Sequence, residues 1–297
     1  MKELNKSGLE IKENEPLAPY TAYKIGGPAD YFVNVRSQDE FVKAIEAAEK
    51  AQKPYFILGG GCNTVFSDKG FRGLVIHNSV KDIEVHGSQI IVGSGALLSL
   101  VIAQALKHEL GGIDKLFGLP GTIGGAIYGN AGAQGVEISD FIVSAKIYRT
   151  GQGIVEEPKE YFQFSYRYSF LKKTNEIVLE VKLDLPTLEP DGASVEALKF
   201  RAEKQPKGQV AGSFFKNPTA TQAAGYLIDK AGLKGLKVGD FEVSEQHGNW
   251  LMNLGNGTQK DLIELAKKLK QEVKNKFGVE LEPENILIDE FGDKIDI

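Results

Sequence analysis

The chain has 297 residues, 42% of them hydrophobic, and a formal net charge of −5. This length exceeds that of one typical domain, so we expect two or three domains with substantial apolar cores. The charges are mixed along the chain and argue against a nucleic-acid partner, so an acidic substrate would have to meet local basic groups. A single cysteine, Cys62, excludes an internal disulfide.

The N-terminal stretch MKELNKSGLEIKENEP is polar and lacks the apolar core of a signal peptide. No apolar run approaches the roughly 20 residues that cross a bilayer. We therefore expect a cytoplasmic protein with no membrane partner.

Helical and strand patterns alternate unevenly along the chain. The first predicted helix spans 37–54, where Ser37 and Glu40 make a capping box and Pro54 ends the helix. The remaining predicted elements are a helix at 97–112 ended by Gly111 and Gly112, strands at 141–150 and 176–185, a helix or linker at 194–206, and helices at 221–235 and 258–278.

The helix at 258–278 has the clearest pattern. Thr258 and Asp261 resemble a capping box, and Gly278 is placed to end the helix. One apolar stripe follows the helical period: Leu262, Leu265, Ala266, Leu269, Val273 and Phe277. We expect this helix to pack its stripe on a core.

The uneven alternation favours an α+β fold over a doubly wound sheet. A polar segment flanked by Pro186 and Pro190 indicates a domain boundary near 186–200. We therefore expect an N-terminal region, 1–190, with subdomains at about 1–75 and 76–190, and a C-terminal domain, 191–297.

Two glycine-dense segments are candidates for ligand binding. ILGGGCNTVF (57–66) follows a predicted strand but lacks the Gly-Lys-Ser/Thr of a P-loop and the last glycine of a dinucleotide fingerprint. GLPGTIGGAIYGNAGAQG (118–135) holds seven glycines in eighteen residues. Glycine lets backbone approach another backbone or a ligand closely. Tight structural turns are the alternative; together the segments favour a large phosphate-bearing cofactor.

The order of motifs along the chain resembles the UDP-N-acetylenolpyruvoylglucosamine reductase (MurB) family. The matching stretches are YKIGGPADYFV (23–33), ILGGGCNTVFSDKGFRGLVI (57–76), GLPGTIGGAIYGNAGAQG (118–135), SYRYSF (165–170), AGSFFKNP (211–218), AGYLIDKAGLKGLKVGDFEVSEQHGNWLMN (224–253) and FGVELEPEN (277–285). The resemblance covers nearly the whole chain and is with the shorter subtype of the family.

The resemblance implies a fold and a reaction. The N-terminal region would be an FAD-binding domain of the vanillyl-alcohol-oxidase/PCMH type, and the C-terminal α+β domain would bind a UDP-sugar. The enzyme would reduce UDP-N-acetylglucosamine enolpyruvate to UDP-N-acetylmuramate for peptidoglycan in the bacterial cytoplasm. NADPH would supply the hydride through non-covalently bound FAD, and the protein would be a monomer.

The expected cofactor contacts lie in the two glycine-dense segments: Gly59, Gly60, Gly61, Cys62, Asn63, Thr64, Pro120, Gly121, Gly124, Gly125, Asn130, Ala131 and Gly132. Cys62 is expected to be a small loop residue, since hydride transfer needs no thiol. No His, Cys or Asp cluster has the spacing of metal ligands, so no metal is expected.

The resemblance also implies catalytic roles. Ser213 in AGSFFKNP matches the family's proton donor, and Arg167 in SYRYS matches its active-site arginine. A planar guanidinium can hold a carboxylate through two hydrogen bonds. Glu284 in LEPEN matches the family's glutamate, while Glu282 stays a competitor because alternation places both carboxylates on one face.

Four further residues are expected on the substrate side: Lys216, Asn217, His247 and Asn249. The chain departs from the family after Glu284, where Asn285 and Ile286 replace the usual Val and Arg. Two alternatives stay open at this point: another FAD-linked oxidoreductase of the same fold, and a non-catalytic nucleotide-binding module.

Overall fold

The computed structural model describes residue 4 and residues 6–188, 192–219 and 221–297. Contacts group the chain into two compact units. The first unit comprises residues 1–11, 33–60 and 76–202, and the second comprises residues 12–32, 61–75 and 203–297. The predicted functional division at residue 190 stays a prediction, and residues 189–191 of that boundary lie outside the described residues.

Strands and helices follow one another in mixed order. The strands are β1 (Ile11–Pro16), β2 (Pro28–Val35), β3 (Tyr55–Leu58), β4 (Thr64–Val65), β5 (Phe71–Asn78), β6 (Ile83–His86), β7 (Gln89–Gly93), β8 (Gly132–Ala133), β9 (Val136–Glu137), β10 (Ile142–Arg149), β11 (Gly153–Pro158), β12 (Ile177–Asp184), β13 (Gln209–Val210), β14 (Lys237–Val238), β15 (Phe241–Val243), β16 (Leu251–Asn253) and β17 (Ile286–Leu287). The α-helices are α1 (Gln38–Lys50), α2 (Leu98–Lys107), α3 (Ile123–Gly129), α4 (Leu171–Thr174), α5 (Ala193–Lys204), α6 (Ala224–Lys230) and α7 (Gln259–Phe277). Four short 3₁₀ turns are described as well: Ala18–Tyr20, Ile113–Leu116, Ile138–Asp140 and Lys159–Phe162.

The first unit is built on a sheet with the order β11-β10-β12-β7-β6. Its neighbouring strands pair antiparallel. Apolar side chains of β7, β10 and β12 pack with α2 and α3 in one buried cluster. Burial of this much apolar surface is the main force that holds such a unit together.

The second unit contains a sheet with the order β13-β16-β15-β14, and the helices α6 and α7 share its core. A short parallel pair joins β17 to β4, so that Ile286 lies opposite Thr64. A further sheet has the order β1-β2-β5-β3.

The predictions for α7 are confirmed. The Thr258 hydroxyl accepts from Asp261 N at 3.1 Å, and the Asp261 carboxylate accepts from Thr258 N at 3.0 Å. Gly278 ends the helix with φ 70°. The predicted stripe is buried except at its last member, Phe277, which is 37% exposed.

The other helices differ from their predictions at the ends. The Ser37 hydroxyl caps α1, but the Glu40 carboxylate accepts from Arg36 N at 2.7 Å and does not close the box on Ser37. The helix α2 ends at Lys107, before the expected glycines, because the backbone at Glu109 turns to φ 57°. The segment at 194–206 forms the helix α5.

Sequence analysis missed the helix α3, which lies inside the glycine-dense segment 118–135. Thr122 caps it by accepting from Gly125 N at 3.4 Å. Glycine disfavours a helix interior by about 1 kcal/mol relative to alanine, so the composition concealed the helix. Burial of Ile123, Ala126 and Ile127 in the first unit's core compensates for that cost.

The described residues contain no helix long and apolar enough to cross a membrane. They also contain no group of three or more His, Cys, Asp or Glu side chains that could hold a metal ion.

Candidate active site

The segment AGSFFKNP is anchored by its two phenylalanines. Gly212 turns the chain with φ 78°, and the rings of Phe214 and Phe215 are fully buried with centroids 4.8 Å apart. Ser213 lies between this turn and these anchors and is half-buried. The sequence therefore fixes the backbone on both sides of the Ser213 hydroxyl.

Asn249 holds the backbone that follows Ser213. Its carbonyl oxygen accepts from Phe214 N at 2.8 Å, its side-chain oxygen accepts from Phe215 N at 2.9 Å, and its side-chain nitrogen donates to Phe215 O at 2.8 Å. Only 2% of Asn249 is exposed. The side chain predicted to bind substrate is thus committed to the protein's own backbone.

The LEPEN segment runs antiparallel to AGSFFKNP. Glu284 N donates to Phe214 O at 2.7 Å, and Lys216 N donates to Glu282 O at 2.9 Å. These bonds bring the backbones that carry Ser213 and Glu284 together. The structure also separates the two glutamates, since the Glu282 carboxylate pairs with the Lys216 ammonium and is two-thirds exposed.

Two further residues were predicted on the substrate side: Asn217 lies in AGSFFKNP itself, and His247 lies two residues before Asn249. The Asn217 side-chain oxygen accepts from Ala224 N at 3.1 Å, at the start of α6. His247 Nδ1 accepts from Asn249 N at 3.2 Å, and burial lowers the pKa of His247 below its ordinary value. A neutral imidazole can accept this bond, whereas a protonated one cannot.

The first glycine turn is divided between the two units. Gly59 and Gly60 belong to the first unit, and residues 61–64 belong to the second. Gly61 has φ 63°, and a Cβ there would clash with the carbonyl oxygen of Tyr20. Gly61 O in turn accepts from Ala22 N at 3.0 Å. Burial raises the pKa of the Cys62 thiol, which keeps it protonated and inert.

In the second unit, one hydrogen bond joins the side chains of Asn63 and Asn285. Asn285 Nδ2 donates to Asn63 Oδ1 at 2.6 Å, and Asn63 Nδ2 donates to Glu284 O at 3.0 Å. Sequence analysis marked Asn285 only as a departure from the family. No sequence signal reveals its role, because the contact joins residues 222 positions apart.

Other glycines of the predicted cofactor site belong to the first unit. A Cβ on Gly59 would lie 2.5 Å from the Thr122 hydroxyl, and one on Gly124 would lie 2.9 Å from Ser94 Cβ. Protein packing therefore explains these two glycines. At Gly125 a Cβ would make only an ordinary contact. At Gly129, which is not among the predicted cofactor contacts, it would meet open space.

Pro120 and Gly121 lie before α3 and Ala131 lies after it, while Gly60 belongs to the first glycine turn. Pro120 and Gly60 are exposed, and Gly121 has φ 114°. Ala131 N donates to Ala126 O at 2.7 Å, which closes the end of α3.

Asn130 connects α3 to the turn that carries Arg167. It is fully buried and left-handed, with φ 45°. Its side-chain nitrogen donates to Glu137 Oε2 at 2.7 Å and to Ser165 O at 3.0 Å, while its oxygen accepts from Ser139 N at 3.3 Å. This amide holds the protein's own backbone and the Glu137 carboxylate, and the predicted contact of Asn130 with the cofactor stays a prediction.

Arg167 occupies a tight two-residue turn. Ser165 and Tyr168 exchange backbone hydrogen bonds of 3.1 and 2.9 Å, and Arg167 has φ 55°. Its Nη2 donates to Gly132 O at 3.1 Å, and Lys172 Nζ donates to Arg167 O at 2.7 Å. Sequence analysis missed Lys172, which holds the strained backbone of this turn.

The residues present fit an FAD molecule. In the first unit, a Cβ on Gly125 would make only an ordinary contact and one on Gly129 would meet open space, so a ligand can approach the backbone closely there. A dinucleotide requires such approach of backbone to phosphate and sugar.

Comparisons with known proteins agree with these features. The profile of the FAD binding domain matches residues 29–157, and that of the UDP-N-acetylenolpyruvoylglucosamine reductase C-terminal domain matches residues 204–288. The chain is 40% identical to the UDP-N-acetylenolpyruvoylglucosamine reductase of Caldanaerobacter subterraneus subsp. tengcongensis, over 98% of this chain and 97% of that protein. It is also 40% identical to that of Clostridium novyi, over 95% and 93%.

A solved structure shares the fold. The crystal structure of the UDP-N-acetylenolpyruvylglucosamine reductase from Thermus caldophilus superposes with a TM-score of 0.79 at 32% identity, covering 94% of this chain and 98% of that chain. The predicted α+β class, with an FAD-binding domain and a family-specific C-terminal domain, is confirmed.

Proposed function

The chain belongs to the UDP-N-acetylenolpyruvoylglucosamine reductase family, and we propose that it catalyses the reaction that names the family. The substrate is UDP-N-acetylglucosamine enolpyruvate, and the product is UDP-N-acetylmuramate, a precursor of peptidoglycan. One observation supports the proposal above the others: Glu284 N bonds to Phe214 O at 2.7 Å, which joins the two motifs that carry the proposed proton donor and glutamate.

Ser213 donates the proton that completes the reduction. A serine hydroxyl is a weak acid, but a carbon that has become enolate-like after hydride addition is strongly basic. The hydroxyl must therefore be held at the right carbon, since geometry decides whether a proton donor works. Buried rings at Phe214 and Phe215 and the bonds from Asn249 provide that rigidity.

Arg167 binds the carboxylate of the enolpyruvyl group and offsets the negative charge that develops on it. The support is its fixed backbone, held by the Ser165–Tyr168 pair and by Lys172. Preorganised charge of this kind lowers the barrier because it needs no rearrangement during the reaction. Glu284 orients the substrate or the intermediate by hydrogen bonding.

The glycines of 59–64 and 118–135 hold FAD without a covalent bond, and NADPH is the reductant. FAD, when bound there, would supply the hydride, with NADPH as its source. Lys216 and Asn217 face the diphosphate and sugar of the substrate, where an ammonium group suits a phosphate. The enzyme works as a monomer in the cytoplasm.

The proposed reaction is tested by following the flavin spectrum under anaerobic conditions. We expect the purified protein to be yellow, its flavin to be released by acid precipitation, and one equivalent of NADPH to bleach the flavin. Addition of the enolpyruvyl UDP-sugar should restore the oxidised spectrum and form UDP-N-acetylmuramate. If NADPH reduces the flavin but the sugar does not reoxidise it, the protein is a different FAD-linked oxidoreductase. If the protein binds flavin but neither step occurs, the non-catalytic alternative is correct.

A further inference from the structure

A chain of three hydrogen-bonded side chains, two of them buried, ends on the backbone of Glu284. The Tyr23 hydroxyl donates to Asn285 Oδ1 at 3.2 Å, Asn285 Nδ2 donates to Asn63 Oδ1 at 2.6 Å, and Asn63 Nδ2 donates to Glu284 O at 3.0 Å. Tyr23 is fully buried, and Asn285 is 2% exposed. All four residues belong to the second unit.

The donor and acceptor roles along this series of hydrogen bonds follow from its last bond, the one to Glu284 O. A backbone carbonyl can only accept, so Asn63 must present its nitrogen to Glu284 O. Its oxygen then faces Asn285, which must donate with its own nitrogen and accept with its oxygen. The Tyr23 hydroxyl supplies the donor that this oxygen needs, and burial raises the pKa of Tyr23, which keeps the hydroxyl protonated.

Asn63 also connects the network to the first glycine turn. It follows Gly61 and Cys62 in the chain, and its carbonyl accepts from Ile286 N at 2.8 Å. The backbone of the turn and the backbone of Glu284 are therefore held by the same residue. A change in the orientation of the Asn63 amide would release its hydrogen bond to Glu284 O, while the backbone bond to Ile286 N would remain.

We propose that Asn285 is a positioning residue, which acts through Asn63 to fix Glu284 relative to the glycine turn. Asn285 does not touch the reacting atoms in this account. It selects one of the two orientations of the Asn63 amide, the one in which the nitrogen faces Glu284. This inference rests on the proposed function, because it assigns Glu284 to the step in which the enolpyruvyl sugar reacts.

The experiment measures the two half-reactions of the holoenzyme separately by stopped flow. Asn285→Ala should slow reoxidation of the reduced flavin by the enolpyruvyl UDP-sugar about tenfold, the expected size for loss of one well-placed hydrogen bond. Reduction by NADPH should stay within about twofold. Tyr23→Phe, which removes one hydroxyl and keeps the ring, should slow reoxidation about two- to threefold.

A double-mutant cycle distinguishes positioning from a loss of stability. If Asn285 acts through Asn63, then Asn285→Ala should have no further effect on the reoxidation rate constant in an Asn63→Ala background. The stability control is Val273→Ala in the core of α7, which should lower Tm without changing either rate constant. The surface control is Asn256→Ala, at an exposed position of the same unit.

The outcomes separate this inference from the proposed function. If wild-type flavin is not reoxidised by the enolpyruvyl sugar, the proposed function fails and this inference fails with it. If wild type reacts, then two results overturn the inference alone: a reoxidation rate constant for Asn285→Ala within twofold of wild type, or effects of Asn63→Ala and Asn285→Ala that simply multiply. If Asn285→Ala does not fold, a reoxidation rate constant for Tyr23→Phe equal to that of wild type overturns the inference.

Discussion

Asn249 binds the backbone of Phe215 through both ends of its side-chain amide. The amide oxygen accepts from Phe215 N at 2.9 Å, and the amide nitrogen donates to Phe215 O at 2.8 Å. The residue that follows Ser213, Phe214, is held by the carbonyl of the same asparagine. Asn130 plays a parallel part in the other unit, where its amide joins α3 to the Ser165 backbone ahead of Arg167. Buried asparagines thus position the segments that carry the proposed catalytic side chains.

Asn249→Ala should therefore reduce stability more than substrate binding. The change leaves two buried backbone groups of Phe215 without partners, at a cost of about 3 kcal/mol. Tm should fall by roughly 6–12 °C for a chain of this size. Thermal unfolding followed by circular dichroism measures this, with exposed Asn256→Ala as the control. A raised KM with unchanged Tm would show instead that Asn249 is a substrate ligand.

Alanine variants should distinguish a glycine that the protein's own packing requires, Gly61, from one that we propose the cofactor requires, Gly125. At Gly61, with φ 63° and the Tyr20 carbonyl against it, alanine should destabilise the apoprotein by more than about 2 kcal/mol. At Gly125, inside α3, a Cβ meets only an ordinary contact, so alanine should preserve or raise stability. FAD affinity should nevertheless fall at least tenfold in Gly125→Ala, because the methyl group occupies the face proposed for the cofactor.

The measurement is fluorescence titration of the apoprotein with FAD, beside urea unfolding. Gly87→Ala provides a control for left-handed glycine, since Gly87 has φ 62° with no atom nearby. Unchanged FAD affinity in Gly125→Ala would remove this glycine from the cofactor site.

Acidification should destabilise the fold through His247. Burial lowers the pKa of His247 when folded, and nearby Lys234 lowers it further. The unfolded state therefore binds the proton more readily, so stability is complete above pH 6.5 and is lost as the pH falls through the folded pKa. Protonation also removes the acceptor for Asn249 N.

The free energy of unfolding should be measured in urea at pH 7.5 and pH 5.5. The loss on acidification should be smaller in His247→Gln than in wild type. A residual loss is expected from His77, whose pKa burial also lowers. An identical loss in both proteins would show that His247 has the same pKa in the folded and unfolded states, which would contradict the prediction.

Lys216 and Glu282 should have opposite effects on the KM for the UDP-sugar. Lys216→Met should raise this KM about tenfold, because it removes the ammonium that we propose faces the diphosphate. Glu282→Gln should lower it about two- to fivefold, because the carboxylate that pairs with Lys216 no longer competes with phosphate. The pair Lys237 and Glu242, 2.9 Å apart in the same unit, is the matched control. Raised KM in Glu282→Gln would contradict the competition.

The sequence predicts elements whose signals are local. Thr258, Asp261 and Gly278 carry the start and end of α7 in their own side chains and backbone freedom, and the structure places the helix between them. The helix α3 was missed because its stability comes from contacts made far along the chain, which overcome the low helical preference of its glycines.

At the candidate site, too, the sequence predicts local motifs but not the long-range contacts between them. Motifs identify Ser213 and Glu284, but only the fold shows that their backbones pair through Phe214. Asn130 and Asn249 were expected to contact ligands, whereas the hydrogen bonds of their amides are made within the protein. An asparagine in a motif cannot be assigned to ligand or scaffold until its partners are known, since its amide serves both equally well.

The most direct test of the account is the reoxidation of NADPH-reduced enzyme by the enolpyruvyl UDP-sugar, compared between wild type and Ser213→Ala. We predict that flavin reduction by NADPH stays within twofold of wild type, while formation of UDP-N-acetylmuramate slows at least a thousandfold, consistent with loss of a proton donor. Product formation by Ser213→Ala at the wild-type rate would contradict the role of Ser213 as the proton donor.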